Sequence, residues 1–398
     1  MPPESQIPIA VSQVRRFAAR LALFYGVSFA VMGTHLPFFT VWLKAVGIEP
    51  AWIGIISAVP ALTRFTTLPL VTGLAEWRHA VRGAIILTAF AAATGLALVG
   101  TQHQPLPVLL LYIVTCCFWT PLLPLTDAYA LRGVARYNLD YGPVRLWGSV
   151  AFILGALACG LLVDVIAARE LIWIIVALAA LTAFAGLSLQ PLDETRRKSA
   201  AGHGGKRLLR DASFLAIIAS AALIQSSHTA YYTFASINWQ AHGLGGLTVA
   251  ALWALGVCAE IIVFAVSPRF SLHPSLLVVI GGLSAVVRWS ITAQEPSVAV
   301  LAIVQLGHGL TFGLTQVGVM SLLVHHVPSH QMARGQGYYA AISGLLSSTT
   351  SIVSGAIYAR YGEGLYYVMA AMAGAGALLM WSMRHRLIAH PQSEASGG

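Results

Sequence analysis

The chain reads as an all-α membrane protein, with twelve transmembrane helices forming two six-helix bundles. Three observations lead there. Hydrophobic residues make up 57% of the 398 residues and charged residues only 9%, against roughly 25% charged in soluble domains. So few charges cannot cover a soluble fold of this length. Apolar segments of about twenty residues, each long enough to cross a bilayer, recur along nearly the whole chain. In lipid they must be helices, because backbone groups need internal partners. Finally, the chain repeats itself. His35-Leu36-Pro37-Phe38-Phe39-Thr40 answers to His228-Thr229-Ala230-Tyr231-Tyr232-Thr233. At the same offset Trp119 maps on Phe312 and Gly142 on Gly335. With three extra residues in one loop, Ser57-Ala58 and Arg64 fall opposite Trp253-Ala254 and Glu260. Duplicated halves with polar residues inside apolar segments mark repeat-built transporters.

The first expected span, Leu21–Leu43, follows a basic tail of residues 1–20. It is too long for a signal h-region and lacks a small-residue cleavage site, so it is a retained helix. The second, Ala51–Leu74, contains Pro60, which can bend it before Arg64. Arg82–Val99 and Pro107–Leu131 follow, the latter with Pro121 and Pro124 ahead of Asp127. Val144–Val165 is opened by Arg145, and Leu171–Leu189 closes a half covering residues 21–189. Residues 190–213 are the one long polar interruption, a basic linker containing Arg196-Arg197-Lys198. Its simplest reading is a solvated loop near anionic lipid. The second half, residues 214–384, holds Phe214–Trp239, Val249–Ser267, Leu276–Ala293, Val298–Val324, Gly335–Ala359 and Leu365–Met383, and residues 385–398 form a tail. Other loops are short, so successive helices run antiparallel. Gly309-x-x-x-Gly313 and Gly374-x-Gly376 allow close helix approach.

The net charge of +9 points to nucleic acid only until the charges are placed. With both tails cytoplasmic, seventeen of the 23 Lys and Arg fall in inside segments, and only Lys44, Arg169 and Arg360 fall outside. That asymmetry reports orientation in a cytoplasmic (inner) membrane and no nucleic-acid partner. The four cysteines, Cys116, Cys117, Cys159 and Cys258, all lie within expected spans and form no disulfide framework.

Glu260 is the sharpest single feature. It sits well inside the eighth span among Val257, Cys258, Ala259, Ile261 and Ile262. A charge near the bilayer centre costs about 2.5–3.5 kcal/mol on insertion scales, so such a residue usually faces a cavity and has a task. A proton carrier is favoured over an interhelical ion pair. Trp253 and Gly256 share its helical face, placing a ring and a gap beside the acid. Arg64 could hold a substrate carboxylate in a bidentate fork, or pair with Asp127. Asp127 and Arg145 approach one surface, which suggests a gate or clamp, with proton transfer at Asp127 as the lesser reading. Arg288, near the outer part of the ninth span, is expected to snorkel or to pair helices. Gln225, His228 and Tyr232 make one stripe on the seventh span. Gln305, His308, Phe312 and Gln316 make another on the tenth. Histidine titrates near neutral pH, so proton relay through His308 is open. Each histidine alone reads equally well as an interhelical hydrogen bond. The Gly202 run lacks phosphate-loop order, and no CxxC, HExxH or Gly-x-Ser-x-Gly spacing occurs. No metal is expected, and no cofactor beyond the proton as coupling ion.

The two-times-six plan resembles the major facilitator superfamily along essentially the whole chain. Gly73–Arg82, containing Glu76 and Arg78, is similar to that superfamily's cytoplasmic signature in degenerate form, with glutamate for aspartate and Ala80 for the second glycine. The segments Tyr141–Ser149, Gln225–Tyr232 and Leu252–Glu260 are similar to the 3-phenylpropionate permease-like branch, related to lactose and nucleoside proton symporters. The resemblance implies that the first, fourth, seventh and tenth helices line a cavity, so that the two stripes face one another across the substrate path, with His35 from the first helix and Trp119 from the fourth. It implies gating or structural roles for Glu76 and Arg78.

The expectation is a monomeric, proton-coupled carrier of a small organic solute, an aromatic or other organic acid first, working by alternating access in a lipid bilayer. A sugar or nucleoside suits Gln225, Gln305 and Gln316 as well, and efflux is an alternative direction. An intramembrane enzyme using His35 or His228, or a non-transporting receptor, are rivals of another class. The repeat argues against an enzyme, because chemistry needs one site while rocking needs two matched bundles.

Overall fold

The computed structural model describes residues 11–192, 208–328 and 331–389. Most of the linker, including its basic run, and the two chain ends lie outside the described residues. Twelve helical spans run through the described residues, without strands. In the first half these are Val11–Ala45, Pro50–Trp77, Val81–Gly100, Pro105–Tyr137, Tyr141–Val163 and Leu171–Leu187. Proline occupies the first turn of the second and fourth, where its missing N–H costs no hydrogen bond. The second half has spans Ala212–Ala241, Gly246–Val266, Pro274–Thr292, Val298–His326, Met332–Tyr361 and Leu365–Ala389. The first and fourth helices overrun their expected ends because their basic terminal turns continue past the apolar stretch.

Two spans are not the continuous helices that hydropathy predicts. The seventh breaks between Ser226 and Thr229. There the Ser227 hydroxyl and His228 Nδ1 both turn back to the Ile224 carbonyl, at 2.6 and 3.2 Å. Side-chain competition for a backbone acceptor loosens the regular ladder. The tenth loses α-geometry after Leu306 and continues as a π-helical turn, Gly309–Leu314, before Thr315–His326. Breaks of this kind cluster at functional sites.

Each half packs largely within itself, the first span on the fifth and sixth, the ninth on the twelfth. Between halves, the second span lies along the eleventh, the fifth along the eighth and the first against the seventh. One face of the molecule carries the inter-half linker, and the opposite face is called the far face. Close approaches between halves gather towards the far face. A Cβ built on Gly54 would lie 2.6 Å from the Ser351 carbonyl oxygen, and one on Gly160 would lie 2.6 Å from that of Gly246. Only glycine permits such backbone contact. The Ser351 and Ser348 hydroxyls donate across the seam to the carbonyls of Gly54 (2.8 Å) and Ala58 (3.3 Å). Asp164, just past the fifth span, accepts from the backbone N–H groups of Gly246 (2.7 Å) and Leu247 (3.5 Å). It caps the eighth span across the seam, where a carboxylate also suits the helix dipole. Along the second span this contact reaches Phe65, against Gly344. Beyond it, Leu70 and Leu74 are exposed. The halves are closed at the far face and parted at the linker face.

This seam predicts that Gly54→Val forces the far face apart. A Ser57→Cys reporter should be labelled by a bulky polar maleimide several-fold faster in the Gly54→Val background, above the signal of the four native cysteines. Equal rates would show that the glycine contact does not hold the seam.

Candidate functional site

The site is built around a buried cation. Arg288, on the ninth span, is only 3% exposed. Its Nη2 donates to Gln305 Oε1 at 2.9 Å, and its Nη1 faces His308 Nδ1 at 2.9 Å and Thr311 Oγ1 at 3.1 Å. Its guanidinium carbon stands over Trp289 (4.5 Å) and Tyr231 (4.8 Å), and cation–π attraction grows when the pair is desolvated. Arg288 therefore pairs helices and does not snorkel. Its side chain points into the second half, towards the tenth span, where lipid-facing reasoning fails.

Arg288 orders its neighbours. A guanidinium can only donate, so His308 Nδ1 must accept, and the imidazole proton sits on Nε2. That nitrogen faces Glu260 Oε2 at 3.7 Å. The gap expected beside Glu260 is filled: a Cβ on Gly256 would meet the His308 ring at 3.5–3.6 Å. On the other side, His228 Nδ1 faces a carbonyl, so it donates, and its Nε2 accepts from Thr311 at 2.9 Å. Two chains of hydrogen-bonding groups thus leave Arg288, one through His308 to Glu260 and one through Thr311 to His228.

The expected binding residues separate into two sets. Gln305 (1% exposed), His228 (0%) and Trp253 (3%) are buried. All three have protein partners, for Trp253 the Ser236 hydroxyl at 2.9 Å. They support the site and do not reach open space in this conformation. Glu260, Tyr232, Phe312, Gln225 and Gln316 keep partial exposure. Gln225 Nε2 donates to Gln316 Oε1 at 3.4 Å, so the seventh and tenth stripes touch directly and do not face each other across a gap. Gly309 brings the tenth span onto Ala259, and Gly313 places it beside the Glu260 side chain.

Arg64 approaches from the other half. Its side chain is open to solvent, yet protein surrounds it and Tyr232 lies within electrostatic reach. It therefore lies where the second span meets the seventh, at the interface between the halves. No ion pair to a protein carboxylate forms at Arg64 among the described residues. Asp127, the candidate partner, instead accepts from Tyr25 (2.5 Å) and Tyr141 (3.0 Å). Arg145 stacks over Phe29 (4.0 Å) and Tyr25 (5.5 Å). Asp127 and Arg145 do share one cluster, joined through tyrosines. Glu76, in the last turn of the second span, and Arg78, just past it, are both exposed.

The repeat is geometric as well as textual. His35 meets Trp119 edge-on at 4.4 Å and stacks on Phe39. His228 meets Phe312 edge-on at 5.9 Å and stacks on Tyr232. Tyr112, hydrogen-bonded to His35 at 3.1 Å, falls at the offset of Gln305. Sequence reasoning missed Tyr112, Tyr231 and Thr311. The offset would have found Tyr112 from Gln305, and Tyr231 adjoins a flagged residue. Thr311 has no signal, since a threonine among apolar residues usually bonds its own helix.

Two helical bundles, a closed seam on one face and polar groups gathered at the interface define a multi-pass transporter of the major facilitator fold. Residues 18–369 match the MFS_1 like family, and the chain belongs to it. It is 33% identical over 365 residues to the probable 3-phenylpropionic acid transporter of Escherichia coli (strain K12), covering 89% of this chain and 94% of that one. It is 26% identical over 377 residues to the maltose permease of Geobacillus stearothermophilus, covering 92% and 94%. Among solved structures, the nucleoside transporter NupG superposes with a TM-score of 0.81 at 16% identity, covering 92% of this chain and 99% of that one.

The Arg288 network predicts that Gln305→Leu destabilises the purified protein. An orphaned hydrogen bond to a charged group costs about 1.5–3 kcal/mol. Thermal unfolding in detergent should drop by several degrees. An unchanged midpoint would mean that Gln305 is dispensable to Arg288.

Proposed function

We propose that the chain is a proton-coupled symporter for a small aromatic carboxylic acid. The observation that carries this reading is Arg64, a cation without a protein carboxylate partner among the described residues, opening on a crevice that Tyr232 borders. A guanidinium binds a carboxylate in a two-pronged fork, and the aromatic side chains Tyr232, Phe312 and Trp119 suit a ring. The relative named as a probable 3-phenylpropionic acid transporter supports the same class. Glu260 is the proton carrier. His308, its proton held on Nε2 by Arg288, presents a donor to the ionised carboxylate and loses that attraction when Glu260 is protonated. The linker face is cytoplasmic in the inner membrane, as the Lys and Arg distribution favours, so both chain ends are cytoplasmic and this conformation is open inwards. The protein acts as a monomer, carries out no covalent chemistry and uses the proton as its one coupling ion. A second reading, uptake of a sugar or nucleoside, draws on the maltose permease relative and on the amides of Gln225 and Gln316.

In proteoliposomes, 3-phenylpropionate should trigger proton influx with wild type. Glu260→Gln should abolish proton-driven accumulation while solute exchange persists; full accumulation in that variant would refute the coupling role. Arg64→Gln should weaken the acid's apparent affinity by roughly 10–100-fold, the equivalent of about 1.5–3 kcal/mol for a charge-assisted contact. A loss no greater for the acid than for a neutral sugar would favour the second reading.

A further inference from the structure

Three turns of the second half meet at the far face, away from the crevice. His242 follows the seventh span, Glu295 lies in the turn between the ninth and tenth, and Glu363 lies in the turn between the eleventh and twelfth. We propose that His242, Glu295 and Glu363 form a binding site for a divalent cation of the zinc class. One ligand atom from each comes within 4.8 Å of the others. His242 Nε2 stands 3.3 Å from Glu295 Oε2, and its Nδ1 stands 3.6 Å from Glu363 Oε1.

The donor set and its surroundings suit that ion. One imidazole and two carboxylates are zinc ligands, held at about 2.0–2.2 Å, with a fourth position left to water. Imidazole selects zinc, copper or nickel over magnesium or calcium. His242 Nδ1 lies 2.9 Å from the Asn238 carbonyl oxygen, which can only accept. The ring proton is therefore on Nδ1 and the lone pair is on Nε2, directed at Glu295. This is the outer-shell arrangement by which proteins orient a ligating histidine. Glu363 is the independent observation. It is only 9% exposed, and its carboxylate accepts no hydrogen bond among the described residues. A buried carboxylate with only the His242 ring at 3.6 Å to offset its charge is costly, and a cation beside it removes that cost. Glu295 already stands at the Nε2 lone pair, so coordination needs the Glu363 carboxylate, which faces Nδ1 at 3.6 Å, to turn towards Nε2.

Bound metal would tie the far ends of the seventh and eleventh spans together. Asn238 and the Tyr358 hydroxyl already link them by hydrogen bond. These spans meet the first and second spans at the closed seam. The site does not depend on what the protein carries.

Isothermal titration of zinc chloride into the purified full-length protein in detergent tests it. One saturable site per chain is expected, with a melting temperature that rises with zinc. His242→Ala and Glu363→Gln should each weaken binding by roughly tenfold or more. Glu295→Gln, altering a side chain that is 58% exposed, should do the same without risk to the core, so a misfolded Glu363 variant leaves the test intact. His325→Ala, at the opposite face, should leave the site unchanged. No saturable binding, or binding indifferent to all three substitutions, overturns the proposal.

Discussion

A full positive charge buried within the second half, in a molecule whose outer solvent is hydrocarbon, is the constraint on which the site depends. Arg288 cannot release its proton and cannot reach water, so it must be surrounded by acceptors. Gln305, His308 and Thr311 supply them from one span, at spacings of three residues. On a regular helix each three-residue step rotates such a series by about 60° away from a fixed point. The span leaves α-geometry between these residues, with Gly307 and Gly309 beside His308 and the π-helical turn beginning at Gly309. The irregularity lies where one guanidinium must be met by three neighbours. Tyr231 and Trp289 then close its flat faces, which keeps water and lipid out.

From that anchor the chemistry is distributed asymmetrically. The two halves share a scaffold, for the His35–Trp119 and His228–Phe312 pairs have nearly the same edge-on geometry. They differ in what the scaffold holds. Where the second half has Gln305 bonded to Arg288, the first has Tyr112 bonded to His35. Where the second span has Arg64, the eighth has Glu260. Duplication thus supplies two matched bundles that can rock against each other, and divergence places opposite charges on either side of the interface. A symmetric pair of sites would have no reason to distinguish proton from solute.

Much of this was legible without coordinates because it follows from the solvent. Few charges, long apolar segments and a repeated signature fix the number of spans and the division into halves. The offset between repeats placed Arg64 and Glu260 at matching depths in their halves. Side-chain direction was not legible. Hydropathy places Arg288 along its span but says nothing of which neighbour it faces, and that depends on the packing of the ninth span against the tenth. The break at Ser227–His228 has no proline or glycine to announce it, since its cause is two side chains sharing one carbonyl. Asp164 and the His242–Glu295–Glu363 group come from turns distant in sequence, and only the assembled bundles bring them together.

The far-face seam joins the halves by more than one kind of contact. Its contacts are glycine backbones, serine hydroxyls donating to carbonyls and one carboxylate capping a helix from the other half. Large buried side chains of both halves, Phe38 and Ile56 from one and Phe234 and Trp253 from the other, also belong to one apolar cluster, so parting the halves exposes apolar surface at about 25 cal/mol per Å². Hydrogen bonds of this kind are each worth only about 0.5–1.5 kcal/mol net, because water can replace the partner when the seam opens. The buried Arg288 network is different in kind, since its hydrogen-bond partners all lie within one bundle. One bundle therefore carries the buried charge whole, and the contacts that join the bundles lie apart from it at the far face.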